Sequence, residues 1–255
     1  DLKNRLDSDR RCFAYFHPKM PDEPLIFVEV ALVNGMAGNV QALLDEDAPV
    51  QKPESADTAI FYSISNAQKG LAGISFGNFL IKRVAGKLSE EFNGLKTFAT
   101  LSPIPGFTTW LETVFSEDRA GLLTTTERKA LIEAAGSNGG SKGKLKALLS
   151  ERAWTKNETL ATTLKPILLR MVAQYLVEEK RQNDKALDSV AHFHLSNGAV
   201  IERLNWLGDA SDKGLQQSAG IMINYLYDLA TIDINHEAYA DGGKITASSN
   251  IRDLL

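Results

Sequence analysis

Thr58-Ala59-Ile60-Phe61-Tyr62-Ser63-Ile64-Ser65 runs into Asn66-Ala67-Gln68-Lys69-Gly70-Leu71-Ala72-Gly73, and then into a stretch from about 74 to 91 with Ile74, Ile81, Val84 and Leu88 at helical spacing. The first segment is rich in β-branched and aromatic residues, the second carries glycines, and the third is apolar on one helical face. Together they predict a strand, a loop and a helix. In such a unit the first N–H groups of the helix point outward, unpaired, at the positive end of its dipole. A phosphate oxygen accepts from them, and glycine lets it approach closely. Gln68 and Lys69 would add a side-chain donor and a charge. Neither the P-loop nor the Gly-x-Gly-x-x-Gly fingerprint occurs here. The segment therefore reads as a phosphate cradle or as a turn that needs glycine for its backbone alone.

The flanking sequence extends the pattern. Residues 25 to 33, LIFVEVALV, predict a strand buried on both faces, with Pro21 and Pro24 marking the turn before it. Residues 41 to 56 are acidic and carry prolines, which reads as a short helical turn followed by a loop. A third strand, Thr97 to Leu101, stops at Ser102-Pro103-Ile104-Pro105-Gly106-Phe107. From 108 to 182 the pattern is helical, broken by the polar loop Gly136 to Ser141. Its longest amphipathic stretch runs from Leu164 to Gln182, with Pro166 in the first turn, where proline is tolerated. β character returns at His192 to Leu195, at Ala199 to Ile201 and at Gly220 to Tyr227, ahead of a Gly242-Gly243 turn and a closing helix. The expected fold is α+β (α/β three-layer): a mixed central sheet with a helical insertion at about 108–182, in one domain spanning 1–255.

Composition narrows the class. Across 255 residues, 44% are hydrophobic, too many for a disordered chain, and 24% are charged, too many for a membrane protein. No run of about 18 uncharged apolar residues occurs, so no membrane association is expected. Twenty-eight basic against 32 acidic residues give a net charge of −4, which disfavours a nucleic-acid partner. Cys12 is the one cysteine, so no internal disulfide or multi-cysteine metal site is expected. The charged start, Asp1-Leu2-Lys3-Asn4-Arg5, has no apolar core of a signal peptide, and the C-terminus matches no targeting tripeptide. Both ends look cut within structured sequence. A fragment of a longer cytoplasmic protein is the expectation.

Three groups of residues are candidates for chemistry. Ser102 follows a strand and precedes Pro103, and Pro105 follows Ile104; each proline keeps the residue before it out of the right-handed helical region. The Ser102 hydroxyl thus sits on a stiff corner, either as a catalytic hydrogen-bonding group or as part of an ordinary turn. At His192-Phe193-His194 the two rings would share one face of a strand. A metal pair is one reading, but the carboxylates nearby, Asp188 and Asp209, look like surface residues. Structural histidines, or one acid/base histidine beside Asn197-Gly198, are the others. Tyr225 and Tyr227 have strand period and read as core, with one hydroxyl within reach of a pocket. No Gly-x-Ser-x-Gly elbow occurs, and Cys12 beside Arg10 and Arg11 reads as a spectator.

Taken together, several strings resemble malonyl-CoA decarboxylase: Arg10-Arg11-Cys12-Phe13-Ala14-Tyr15-Phe16-His17, Ile60-Phe61-Tyr62-Ser63-Ile64-Ser65, Phe79-Leu80-Ile81-Lys82-Arg83-Val84, Leu101-Ser102-Pro103-Ile104-Pro105-Gly106-Phe107, Phe193-His194-Leu195-x-Asn197-Gly198-Ala199 and Asn224-Tyr225-x-Tyr227. The resemblance runs from about residue 5 to the C-terminus and is weakest between 115 and 160. It implies a catalytic domain similar to the GCN5-related acetyltransferases, converting malonyl-CoA to acetyl-CoA and CO2 without metal or organic cofactor. It also implies a separate N-terminal helical domain, absent from this chain, through which the full-length protein forms a homo-oligomer. Malonyl-CoA would be bound by Gln68, Lys69, Gly70, Ala72, Gly73, Ile74, Ser75, Phe76, Gly77 and Asn78 together with Ser102 and His194; Ser102, His194 and Tyr227 would be catalytic. Relatives carry glutamate where this chain has Ser75, which puts a carboxylate role there in doubt. Lys82, Arg83 and Lys87 are available for the 3′-phosphate of CoA. Two rivals remain: an acyl-CoA-dependent acyltransferase on the same fold, and a non-catalytic acyl-CoA-binding module.

Overall fold

The computed structural model describes residues 7–67, 79–117, 119–136 and 140–255. Strands β1 (Arg10–His17) and β2 (Met20–Val33) form a hairpin. The short helix α1 (Val40–Leu43) follows, and then β3 (Thr58–Asn66), α2 (described over Phe79–Glu91) and β4 (Thr97–Thr100). A helical block comes next: α3 (Phe107–Ser116), α4 (Thr125–Ala135), α5 (Ser141–Glu151) and α6 (Glu158–Val177). The chain closes with α7 (Ser189–Ser196), β5 (Val200–Asn205), α8 (Asp212–Ser218), β6 (Met222–Leu226), α9 (Ile232–Gly242) and α10 (Ser249–Arg252). The strands make one sheet in the order β1-β2-β3-β4-β6-β5. The β3–β4 pair is parallel and its neighbours antiparallel, so the sheet is mixed and the fold α+β as expected.

Alternation along the central strands assigns the two faces. Val30, Leu32, Ala59, Phe61, Phe98, Ile223, Tyr225 and Tyr227 enter the large core. Ala31, Ile60, Ala99 and Met222 form a smaller core under Leu43. Burial on both faces explains why 25–33 reads as a nearly unbroken apolar run. Thr100 and Ser102 continue the parity of Phe98, so their side chains share the face on which the large core lies. Among the described residues, α2 presents Ile81, Val84 and Leu88, all fully buried, to the same core.

Three local expectations are corrected, and one helix is added. β2 starts at Met20 and takes in Pro21 and Pro24, rather than following them. It pairs there with β1 through register shifts next to Tyr15 and Phe16, in the exposed end of the hairpin where a missing N–H is tolerated. Pro166 is not in a first turn, because α6 begins eight residues earlier at Glu158, where the Asn157 side chain accepts from Leu160 N–H. Residues 192–195 are helical, not a strand: the Asp188 carboxylate caps the N–H groups of Val190 and Ala191, and Ala191, His194 and Leu195 turn inward at helical spacing. Finally, α9 precedes the Gly242-Gly243 turn and was absent from the sequence reading. The charged start at residues 1–5 lies outside the described residues.

The turn from α7 into β5 is tightly held. Gly198 has φ +78°, and a Cβ there would lie 2.0 Å from the Ile232 carbonyl oxygen at the start of α9. Glycine is required for both backbone and space. Gly198→Ala is expected to destabilise the fold by about 3 kcal/mol or more, read as a lower midpoint in urea unfolding.

Candidate active site

The β3–β4 ladder ends at Phe61↔Thr100, while β3 continues to Asn66 on its pairing with β2. The proline corner carries the chain away from β3 just beyond that point. A cavity of about 900 Å³ occupies the resulting gap, lined by Tyr62 and Ile64 of β3, Leu80 of α2, Ser102 of the corner, and His192 and His194 of α7. That size suits a substantial organic ligand.

Ser102 is held by main-chain bonds in both directions with Ile223 of β6, at 2.8 and 3.0 Å. Its Oγ donates to Thr100 Oγ1 at 2.9 Å and lies 3.1 Å from His194 Nε2. Thr100 Oγ1 also accepts from the Tyr225 N–H at 3.1 Å. On the other side of the ring, His194 Nδ1 lies 2.7 Å from the Tyr227 hydroxyl. The imidazole stacks on Tyr225, with centroids 4.4 Å apart and planes 25° from parallel. Tyr227, His194, Ser102 and Thr100 thus form one buried hydrogen-bonded chain, of which Ser102 and His194 reach the cavity wall.

Burial decides the charge of that chain. It depresses the His194 pKa to about 3 and raises that of Tyr227 well above its usual value. Near neutral pH the imidazole and the phenol are therefore both uncharged. With Tyr227 O–H donating to Nδ1, His194 carries its proton on Nε2, next to the cavity.

The structure thus brings together Ser102, His194 and Tyr227. Gln68, Lys69, Gly70, Ala72, Gly73, Ile74, Ser75, Phe76, Gly77 and Asn78 lie outside the described residues. His192 and His194 do not share a face, since residues two apart on a helix diverge. His192 Nδ1 instead meets the Tyr239 hydroxyl at 2.7 Å, which itself accepts from the Ala186 N–H at 2.9 Å. Among the described residues no group of three or more side chains is arranged to ligate a metal ion. Lys82 is engaged by Asp233, with Nζ 2.6 Å from Oδ2. Cys12 is exposed on β1.

Sequence reasoning missed Thr100 and misjudged Asp188. Thr100 could have been found from parity alone, being two residues before Ser102 on the same strand. Asp188 is not a surface carboxylate: it is 1% exposed. Its signal was an aspartate just before a segment with apolar residues at helical spacing, the signature of a helix start. A second cavity, about 370 Å³, is lined by five carboxylates, Asp7, Asp9, Glu29, Asp45 and Glu46, against one cation, Arg10, which pairs with Asp9, so its charge is unsuited to a polyanionic ligand.

Comparison with known proteins gives a consistent result. The family model of the malonyl-CoA decarboxylase C-terminal domain matches residues 1–255. The mitochondrial malonyl-CoA decarboxylase of Rattus norvegicus is 41% identical over 262 aligned residues, covering 100% of this chain and 53% of its own. The chain spans about half the length of the curated relatives it matches. The solved malonyl-CoA decarboxylase from Rhodopseudomonas palustris superposes with a TM-score of 0.89 at 45% identity, over 100% of this chain and 55% of that one. The enzyme from Agrobacterium vitis gives 0.85 at 42% identity, over 98% and 57%.

The depressed pKa of His194 makes stability depend on pH. Above its ordinary value of 6.5 the histidine is neutral in both folded and unfolded chains, and its contribution is fully present. As pH falls from 6.5 toward about 3, the unfolded chain takes up a proton that the folded one refuses, so stability declines. Urea unfolding between about pH 5 and 6.5 should show wild type losing stability more steeply than His194→Asn, by up to about 1.4 kcal/mol per pH unit. Parallel curves would exclude a buried neutral imidazole.

Proposed function

The chain belongs to the malonyl-CoA decarboxylase C-terminal domain family, and on that premise we propose that it converts malonyl-CoA to acetyl-CoA and CO2, with residues 1–255 acting as one catalytic unit around the Ser102–His194 pair. The observation that carries this reading is the buried, neutral Tyr227–His194–Ser102 chain opening onto a cavity large enough for an acyl thioester.

Decarboxylation breaks the bond between Cα and the carboxylate, and the electron pair moves onto the thioester oxygen as CO2 departs. A proton must then reach Cα. In the proposed arrangement the Ser102 hydroxyl turns its proton from Thr100 Oγ1 to the malonyl carboxylate and holds it out of the thioester plane, so that the breaking bond overlaps the carbonyl π system. His194 Nε2–H points at the thioester oxygen and stabilises the charge that develops there. One such donor is typically worth about 3 kcal/mol in the transition state. A neutral imidazole with so depressed a pKa is a hydrogen-bond donor rather than an imidazolium acid. The proton for Cα is accordingly taken from solvent through the Ser102 hydroxyl once CO2 has left. Tyr227 holds the tautomer, because its O–H occupies Nδ1. Hydrophobic groups around the reacting carboxylate, including Phe61, Ile64 and Leu80, favour loss of a charged group to a neutral gas.

The coenzyme would lie with its phosphates toward the segment that joins β3 to α2, which carries the proposed binding residues Gln68 to Asn78 apart from Leu71. No metal or organic cofactor has a role in this scheme. A homo-oligomer of the full-length protein and a cytoplasmic location are part of the same proposal. The curated relatives are named as mitochondrial enzymes. No helix in the described residues is long and apolar enough to cross a membrane.

Incubation with malonyl-CoA, without amine or added metal, should release CO2 and acetyl-CoA in equal amounts. Acetyl transfer that requires an amine, or CoA binding without turnover, would overturn the reading. Ser102→Ala and His194→Asn should each lower kcat by about a hundredfold or more while CoA still binds. Near-normal turnover in either variant removes that residue from the mechanism.

A further inference from the structure

Asp188 stands between three parts of the fold that the catalytic geometry needs to hold together. Its carboxylate is almost completely buried. Oδ1 accepts from the N–H groups of Val190 and Ala191 at 2.9 and 3.0 Å, which closes the first turn of α7. Oδ2 accepts from the Gly106 N–H and from the Tyr175 hydroxyl, each at 3.2 Å. Gly106 ends the proline corner that starts at Ser102, and Tyr175 belongs to α6 of the helical block. A carboxylate has about four acceptor sites, and here four donors use them.

The bonds close a ring. From Asp188 the helix runs six residues to His194; the His194 ring meets Ser102 at 3.1 Å; and Ser102-Pro103-Ile104-Pro105-Gly106 leads back to Asp188. Every segment of that ring is stiff, being helix, hydrogen bond or proline-restricted backbone. The ring has no room for adjustment either, since a Cβ on Gly106 would lie 2.1 Å from the Tyr175 hydroxyl and 3.3 Å from Asp188 Oδ2.

We propose that Asp188 is a positioning residue: by binding Gly106 and the start of α7 at once, its carboxylate sets the separation of the Ser102 hydroxyl from the His194 imidazole. Capping of α7 needs only one oxygen, and serine is as good a helix cap as aspartate. Serine is too short to span to Gly106 and Tyr175 as well. Asp188→Ser therefore separates the two roles, keeping the cap and removing the tie to the corner.

The role in catalysis rests on the proposed decarboxylation, but one readout is independent of it. The 15N shifts of the His194 ring report the hydrogen bond at Nε2 without any substrate. In Asp188→Ser the Nε2 resonance should move, with far-UV circular dichroism unchanged, and kcat for malonyl-CoA should fall tenfold or more while KM stays within about threefold. Tyr175→Phe removes one bond to Oδ2 and leaves the cap intact; it should move the same resonance by less and lower kcat by a smaller factor. It also serves if Asp188→Ser fails to fold. A lower Tm in both variants, with the His194 resonance and kcat of wild type, would overturn the proposal and leave Asp188 as a helix cap. If wild type itself does not turn over malonyl-CoA, the decarboxylase reading fails, and the resonance alone still decides the positioning role.

Discussion

Four residues of β4 pair with β3, and then the chain turns away at two prolines. The site depends on that early end. A parallel pair continuing to Asn66 would have filled the space beside β3 with main chain, and the large core would have closed over it. Proline at 103 and 105 stops the pairing because it offers no N–H and restricts the residue before it. Ser102 is the last residue still bonded to the sheet, through Ile223, so its hydroxyl is fixed by the sheet and yet stands at the edge of the gap. The same break thus produces both the cavity and the rigid group at its wall.

Burial then dictates what the polar groups in that wall can be. Thr100, Ser102, His194 and Tyr227 lie among apolar side chains, where a charge is costly and an unpaired donor only somewhat less so. Each has a partner in the chain, and the histidine is neutral. Such a network is rigid because every member constrains the next. Its cost falls on stability at low pH, where the unfolded chain alone accepts the proton on the imidazole.

The sheet was legible from the sequence because its central strands are buried on both faces and read as apolar runs; 25–33 and 58–65 are the clearest cases. The strand end at Ser102 was legible because prolines act locally. Helix α7 was not. His192, Phe193, His194 and Leu195 are all strand-compatible, and over four residues period 2 cannot be told from the inward positions of a short helix. What decides the matter is the Asp188 cap, a tertiary feature as much as a local one, since its other oxygen is bound to Gly106 and Tyr175. Hairpin strand β1 was missed for the opposite reason: its alternating, half-exposed side chains give a weak apolar signal, and its partner supplies the order. Of the candidate residues, Ser102, His194 and Tyr227 stand in the strings that carry the resemblance, and Thr100 was overlooked because it belongs to none.

The helical block between β4 and β5 can be read as an ornament on the sheet, because its own sequence carries no catalytic motif. Its contacts argue otherwise. Tyr175 of α6 packs against Phe107 and Trp110 of α3, with ring centroids 6.0 and 5.3 Å away, and directs its hydroxyl to Asp188. Helix α3 begins at the residue after Gly106, so the aromatic cluster fixes the far end of the proline corner as firmly as Ile223 fixes the near end. The corner is then clamped at both termini, by the sheet at Ser102 and by the helical block at Gly106. With α7 tied to the same clamp, the relative position of two side chains 92 residues apart is set by packing outside the cavity. A ligand can then be accommodated by the cavity walls without either group having to move to meet the other.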